Sequence, residues 1–212
     1  MIDIKQLPIQ RGKVALRLAR GHFATNHSHI NYYIDITLNK SRLSEAKETA
    51  RELVSHFINN TPVDTIICLD GTAVIGTWVA EELTRTGFRT INAHQTIYVV
   101  EPEYNSTNSM IIFRDNIQTM IKGKYVLVLM ASCTTGYTAK RAIEAISYYG
   151  GNVAGVAAIY RAVDEVEGYP VRSVYSISDL PDYASYDYKD CPYCKQGIKL
   201  DALVNSFGYS AL

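Results

Sequence analysis

The sequence predicts an α/β domain built on a parallel sheet. Short, continuously apolar segments rich in β-branched residues alternate with helical segments. One helix carries an apolar stripe at helical spacing, and one strand runs into a turn of small and hydroxyl residues that opens a helix. Uninterrupted apolar strands alternating with helices imply a sheet covered on both faces.

In order, residues 29–37 (HINYYIDIT) read as a strand and residues 43–58 as an amphipathic helix. Leu43, Ala46, Ala50, Leu53, Val54 and Phe57 share one face of that helix, and Ser41 or Ser44 is available to cap it. Strands follow at 63–69, 95–100, 125–130, 153–160 and 171–177, and helices at 73–86 and 137–149. Residues 101–124 are too long for a plain connection and predict a flap or hairpin with some order. No repeat or linker divides the chain, so residues 1–212 read as one domain, with a core over about 60–180.

Composition narrows the function classes. Lys+Arg and Asp+Glu stand at 21 each, which removes the bulk electrostatic case for nucleic-acid binding. No apolar run approaches the roughly 20 residues that cross a bilayer, and no leader pattern precedes the first strand, so the expected location is cytoplasmic. Of 16 tyrosines, Tyr169, Tyr175, Tyr183, Tyr186, Tyr188 and Tyr193 crowd one C-terminal stretch. They read as packing residues with wet hydroxyls, or as base-stacking ones.

The chemistry concentrates in Val126–Arg141, VLVLMASCTTGYTAKR. The first amides of a helix have no internal partners and sit at the positive end of its dipole. Small residues let an anion approach them, Gly136 permits unusual φ, and Ser132, Thr134, Thr135 and Thr138 add hydroxyls. The predicted phosphate cradle is therefore Ser132, Cys133, Thr134, Thr135, Gly136, Tyr137 and Thr138, at the carboxyl edge of the sheet. An ordinary turn capped by Thr134 or Thr135 is the alternative. Neither GxxxxGK[ST] nor GxGxxG occurs after a strand, and Cys133 and Arg141 are spaced too widely for a phosphatase loop.

An apolar strand followed by TTGYT and a helix resembles the phosphoribosyl-diphosphate (PRPP) loop of the type I phosphoribosyltransferases, the orotate branch above all. Residues 22–36 (HFATNHSHINYYIDI) are similar to that family's N-terminal stretch, and 63–80 (VDTIICLDGTAVIGTWVA) to its strand and diphosphate loop. Residues 153–161 end in IYR, like the strand whose terminal Arg meets the base, and CPYCKQG at 191–197 resembles a Cys-Pro-x-Cys turn in some members. The resemblance implies the type I phosphoribosyltransferase fold, with helices on both faces and a small hood from residues 1–40 and 181–212. It implies PRPP or a nucleotide-like ligand, Mg²⁺ bound with PRPP, a homodimer, and orotate as the base. It places Asp70, Gly71 and Thr72 at the diphosphate and Arg161 at the base.

The pattern breaks at several positions. The family's two acids before the loop are Met130 and Ala131 here. The flap over 101–116 carries Glu101, Glu103 and Asp115 against one cation, Arg114, and Thr25 and Asn26 stand near the family's N-terminal lysine. A positioned group that meets developing charge is worth about 10²–10³ in rate. Catalysis is thus expected to be weak or altered, with a non-catalytic PRPP- or nucleotide-binding regulator or salvage sensor as the alternative. A protein-interaction module built on the tyrosines has no positive motif.

Other residues keep two readings. Asp70 holds Mg²⁺–diphosphate through water or makes an Asx turn, and Arg161 faces a base or pairs with Asp164. His22, His27 and His29 suggest polar packing or phosphate contact more than a metal. Cys191 and Cys194 have half-site zinc spacing without a second pair, so a tight structural turn is expected, with an intersubunit zinc as the other option.

Overall fold

The computed structural model describes residues 2–85, 91–93, 96–105 and 110–212, with 7–11 described by backbone alone. In chain order the strands begin with β1 (Lys5–Arg11), β2 (Val14–Ala24), β3 (His29–Asp35), β4 (Thr65–Cys68) and β5 (Tyr98–Val100). They continue with β6 (Glu103–Tyr104), β7 (Ile111–Ile112), β8 (Tyr125–Cys133), β9 (Asn152–Arg161) and β10 (Glu165–Val166). The last are β11 (Tyr169–Ser176), β12 (Ser185–Tyr186), β13 (Ala202–Asn205) and β14 (Gly208–Ala211). Helices are α1 (Thr37–Ser41), α2 (Leu43–Val54), α3 (Ala73–Thr84), α4 (Asp115–Gln118), α5 (Tyr137–Tyr148) and α6 (Pro192–Lys195). Thr86 and Gln95, at the ends of a predicted helix and strand, and flap residues 106–109 lie outside the described residues.

The central sheet has the order β10-β11-β9-β8-β4-β5 and is parallel throughout except for β10 on its edge. Its strands are apolar on both faces because both are covered. Ile66 and Cys68 join a core with Leu53 of α2 and Ile75 and Val79 of α3. Ile67 and Leu69, one residue out of phase, join the other core with Ala142 and Ile146 of α5. Period-two alternation along one strand thus feeds two cores. Gly76 lets α3 press onto β4, since a Cβ there would overlap the Cys68 sulfur. A mainly parallel sheet with helices on both faces agrees with the architecture the sequence resemblance implies.

A second sheet draws on both ends of the chain, in the order β12-β3-β2-β13-β14 with β1 on β2. Leu16, Phe23 and Tyr33 pack into the same core as α2 and α3. The tyrosines largely serve packing. Tyr175 is buried and donates to the Val14 carbonyl at 2.7 Å, and Tyr183 is buried beside Tyr160. Tyr188 alone of the C-terminal group stands far out in solvent.

Several expectations need correction. The helix over 43–58 ends at Val54, with Leu43 exposed and Arg42 at the N-cap position. Neither Ser41 nor Ser44 caps it, because Ser41 closes α1 and Ser44 lies inside α2. Strand β8 runs three residues past Met130, through Cys133, because it pairs with β9 up to Cys133–Arg161. The flap includes the expected hairpin, β6 against β7, followed by α4.

Candidate functional site

Strand β8 delivers the chain to the carboxyl edge of the sheet, where Gly136 turns it into α5. Gly136 has φ 78° and occupies the N-cap position without side-chain help, so neither Thr134 nor Thr135 caps the helix. Both threonines are left to face outward. A cavity of about 280 Å³ lies in front of them, lined by Ser132, Thr134, Thr135, Tyr137 and Thr138. The β2–β3 turn, residues 25–28, and residues 204–206 also line it.

The loop residues do not all face that space. Cys133 is buried on the core side, and burial pushes its thiol up to about 11, which keeps it protonated. Gly136 acts through its backbone, because a Cβ would point at Val166. Met130 is likewise buried in the α5-side core, whereas Ala131 lines the cavity.

Asp70 follows β4 and enters the left-handed region at φ 57°, ahead of Gly71 at φ 72°. Its carboxylate accepts the Ala131 amide at 3.3 Å and lines the cavity. The Asx-turn alternative is not realised, since the Thr72 amide donates to the Leu69 carbonyl instead. Thr72 itself is buried and its hydroxyl bonds the Leu69 and Leu129 carbonyls, so it braces the loop from behind. Gly71 supplies the turn and does not line the cavity.

The sequence reading missed Lys40. Its ammonium donates to the Asp70 carbonyl at 2.8 Å and to the Ser206 carbonyl, and it lines the same cavity. Burial lowers its pKa, while Asp70 and Asp35 pull the other way. The only available signal was a lysine just after the HINYYIDIT segment. Tyr183, from the far end of the chain, also lines the cavity; burial raises its hydroxyl to about 12 and the Thr134 hydroxyl opposes this.

Burial raises the Asp70 carboxyl above the usual carboxylate range, opposed by the Ala131 amide and Lys40. Between the unfolded pKa of about 3.9 and the raised folded value, the folded state binds more protons, so stability falls as pH rises through that window. Asp70→Asn is expected to remove this decline. Denaturant unfolding of both proteins from roughly pH 4 to 8 checks it, and parallel curves would contradict it.

Arg161 does not join the cradle. It ends β9, pairs with Asp164, and borders a different cavity with His56, Arg172 and Asp179. The flap cation is engaged too: Arg114 binds the Glu103 carboxylate through two bonds of 2.6 Å each. His27 is in the β2–β3 turn, ahead of His29 at the start of β3, and its ring lies 5.3 Å from the Tyr137 ring. The expectation that Cys191 and Cys194 lack further ligands is also corrected, because the fold brings His22 and His29 to them.

Among the described residues, no helix is long and apolar enough to cross a membrane. No model of a known protein family matches the chain. It is 30% identical over 181 residues to the orotate phosphoribosyltransferase of Pelotomaculum thermopropionicum, covering 84% of this chain and 85% of that one. The orotate phosphoribosyltransferase of Caldanaerobacter subterraneus is 28% identical over 185 residues, covering 85% and 87%. Among solved structures, the orotate phosphoribosyltransferase of Mycobacterium tuberculosis H37Rv aligns with a TM-score of 0.51 at 22% identity, covering 78% and 92%, a likeness of fold.

Proposed function

The chain belongs to the orotate phosphoribosyltransferase family of type I phosphoribosyltransferases, and from that premise we propose that its cavity binds PRPP or a nucleotide-like sugar phosphate, with transfer to orotate slow. One observation carries this reading: a cavity at the start of α5 is lined by Ser132, Thr134, Thr135, Tyr137 and Thr138. The 5-phosphate sits there, against the start of α5.

In the transfer reaction the bond from ribose C1 to diphosphate breaks and orotate nitrogen takes its place. Negative charge grows on the diphosphate and positive charge on the ribose. Asp70 is the one carboxylate among the described cavity-lining residues, and it stands beside the position of a missing acid, Ala131. A single carboxylate suits Mg²⁺, which retains most of its waters and takes the rest of its ligands from phosphate oxygens. Lys40, whose ammonium bonds the Asp70 carbonyl, is the one lysine or arginine among the described cavity-lining residues. The flap contributes less, because Arg114, at the start of α4, is already paired with Glu103 of β6. Arg161 meets the base only if it leaves Asp164.

Binding therefore outlasts catalysis. Saturation at 100 times Kd adds about 2.7 kcal/mol of stability, and at this size each kcal/mol moves Tm by roughly 2–4 °C. PRPP with Mg²⁺ is expected to raise Tm by several degrees, while loss of orotate absorbance runs far below a typical kcat of about 10 s⁻¹. An unchanged melting curve with PRPP and with pyrimidine nucleotides would remove the ligand assignment. Turnover at the typical rate would favour the second reading, a fully competent orotate phosphoribosyltransferase, which the 30% identity to a relative so named supports. We extend the proposal to a homodimer, to be checked by sedimentation velocity.

A further inference from the structure

Away from the cavity, two segments more than 160 residues apart converge. His22 and His29 come from β2 and β3, and Cys191 and Cys194 bracket the first turn of α6. Their four ligand atoms all lie within 4.8 Å of one another. From this the geometry points to a structural zinc site, Cys191–Cys194–His22–His29, that pins the C-terminal segment to the second sheet.

The spacing is close to that of a tetrahedral shell. With Zn–S of about 2.3 Å and Zn–N of about 2.0–2.1 Å, ligand atoms on a tetrahedron stand roughly 3.3–3.8 Å apart. Here His22 Nε2 lies 3.0 Å from His29 Nδ1, 3.4 Å from Cys191 Sγ and 3.7 Å from Cys194 Sγ. His29 Nδ1 lies 3.3 Å from Cys194 Sγ. Neither cysteine is in a disulfide.

The surroundings orient the donors. His22 Nδ1 faces the carbonyls of Ile198 at 3.0 Å and Lys199 at 3.3 Å. A carbonyl only accepts, so Nδ1 carries the proton and Nε2 presents its lone pair to the cluster. This is the outer-shell hydrogen bond that fixes a metal-ligating imidazole. The His22 main chain is held as well, its amide donating to Asp201 Oδ2 and its carbonyl accepting from the Asp201 amide, each at 2.8 Å. The pairing of β2 with β3 is irregular between Arg20 and Phe23, which re-aims His22. Tyr193 covers the ring with its own, 5.1 Å away at 25°.

On the cysteine side, Cys191 is the N-cap of α6 with Pro192 at the first helical position, and Gly197, at φ 73°, closes the turn. The Lys195 amide returns to the Cys191 carbonyl at 3.1 Å, setting the two sulfurs on one side. Two cysteine sulfurs and two imidazoles at this close spacing select Zn²⁺ over harder cations. Four protein ligands fill its shell, so the ion is structural. It ties together both cavity walls outside the core sheet, the 25–28 turn that follows His22 and the 204–206 segment that follows the cysteines.

The test is the metal content of the full chain, produced without a polyhistidine tag and purified with a thiol reductant. Elemental analysis is expected to find about one zinc per chain, and Co²⁺ exchange to give the visible bands of a tetrahedral sulfur–nitrogen site. Cys194→Ser, at an exposed position, should reduce zinc to about a tenth of that or less and lower Tm, while His56→Ala keeps it. Titrating the folded wild-type protein with a mercurial should release zinc in step with thiol modification, which settles the matter even if the variant fails to fold. Less than about a tenth of an equivalent in protein grown with zinc, zinc retained in Cys194→Ser, or release that ignores the thiols would each overturn the site.

Discussion

Gly136→Ala is expected to lower Tm by roughly 4–10 °C and to abolish the PRPP-induced shift. Two costs combine. At φ 78° an alanine pays roughly 1–2 kcal/mol for the left-handed conformation. Its Cβ would also lie 2.8 Å from Val166 Cγ2, so the short strand β10 must yield. The double variant Gly136→Ala/Val166→Ala separates the two, since it relieves the crowding and leaves the backbone cost in place. Binding suffers along with stability because the same residue turns the chain from β8 into α5 between the cavity-lining Thr135 and Tyr137. Thermal melts with and without PRPP check both effects; a melt within one degree of wild type would mean that the loop does not need this conformation.

Thr135→Glu is expected to weaken PRPP binding on the order of 100-fold or more while leaving Tm nearly unchanged. Thr135 is exposed and lines the cavity, so the longer side chain has room and folding bears little cost. A carboxylate about 5 Å from a doubly charged phosphate raises its energy by about 2 kcal/mol in water-like surroundings and several at an effective dielectric of 20. Thr135→Ser retains the hydroxyl and should bind as wild type does. Calorimetric titration of the three proteins gives the comparison. Equal affinity in the glutamate variant would place the phosphate elsewhere, whatever the melting data had shown.

The cradle was legible because its signal is local. An apolar strand, a run of small hydroxyl residues and a glycine lie within one stretch of chain, and backbone sterics make Gly136 the turning point. Strand β2 was not read, because Ala15 and Ala19 are buried along with Val14, Leu16 and Leu18 and no clean alternation marks it, while Arg17 stays partly outside in an ion pair with Glu45. Helix ends were less legible than the cradle. Nothing in residues 55–58 forbids helix, but after Val54 the chain turns, and Phe57 packs into the core from outside the helix. Arg161 shows how direction escapes pattern: its place at a strand end was right, yet Asp164, three residues on, takes its guanidinium.

Taken alone, the amino-acid order determined the parallel α/β class, the strand–turn–helix at 125–148 and the absence of an acidic pair before the loop. These follow from periodicity and from residue identity within a few positions. Only the tertiary structure decided that Lys40 reaches Asp70, that Tyr183 lines the cavity, and that His22 and His29 meet Cys191 and Cys194. Those meetings depend on how two sheets share one core, a summed packing effect that no short window of sequence contains.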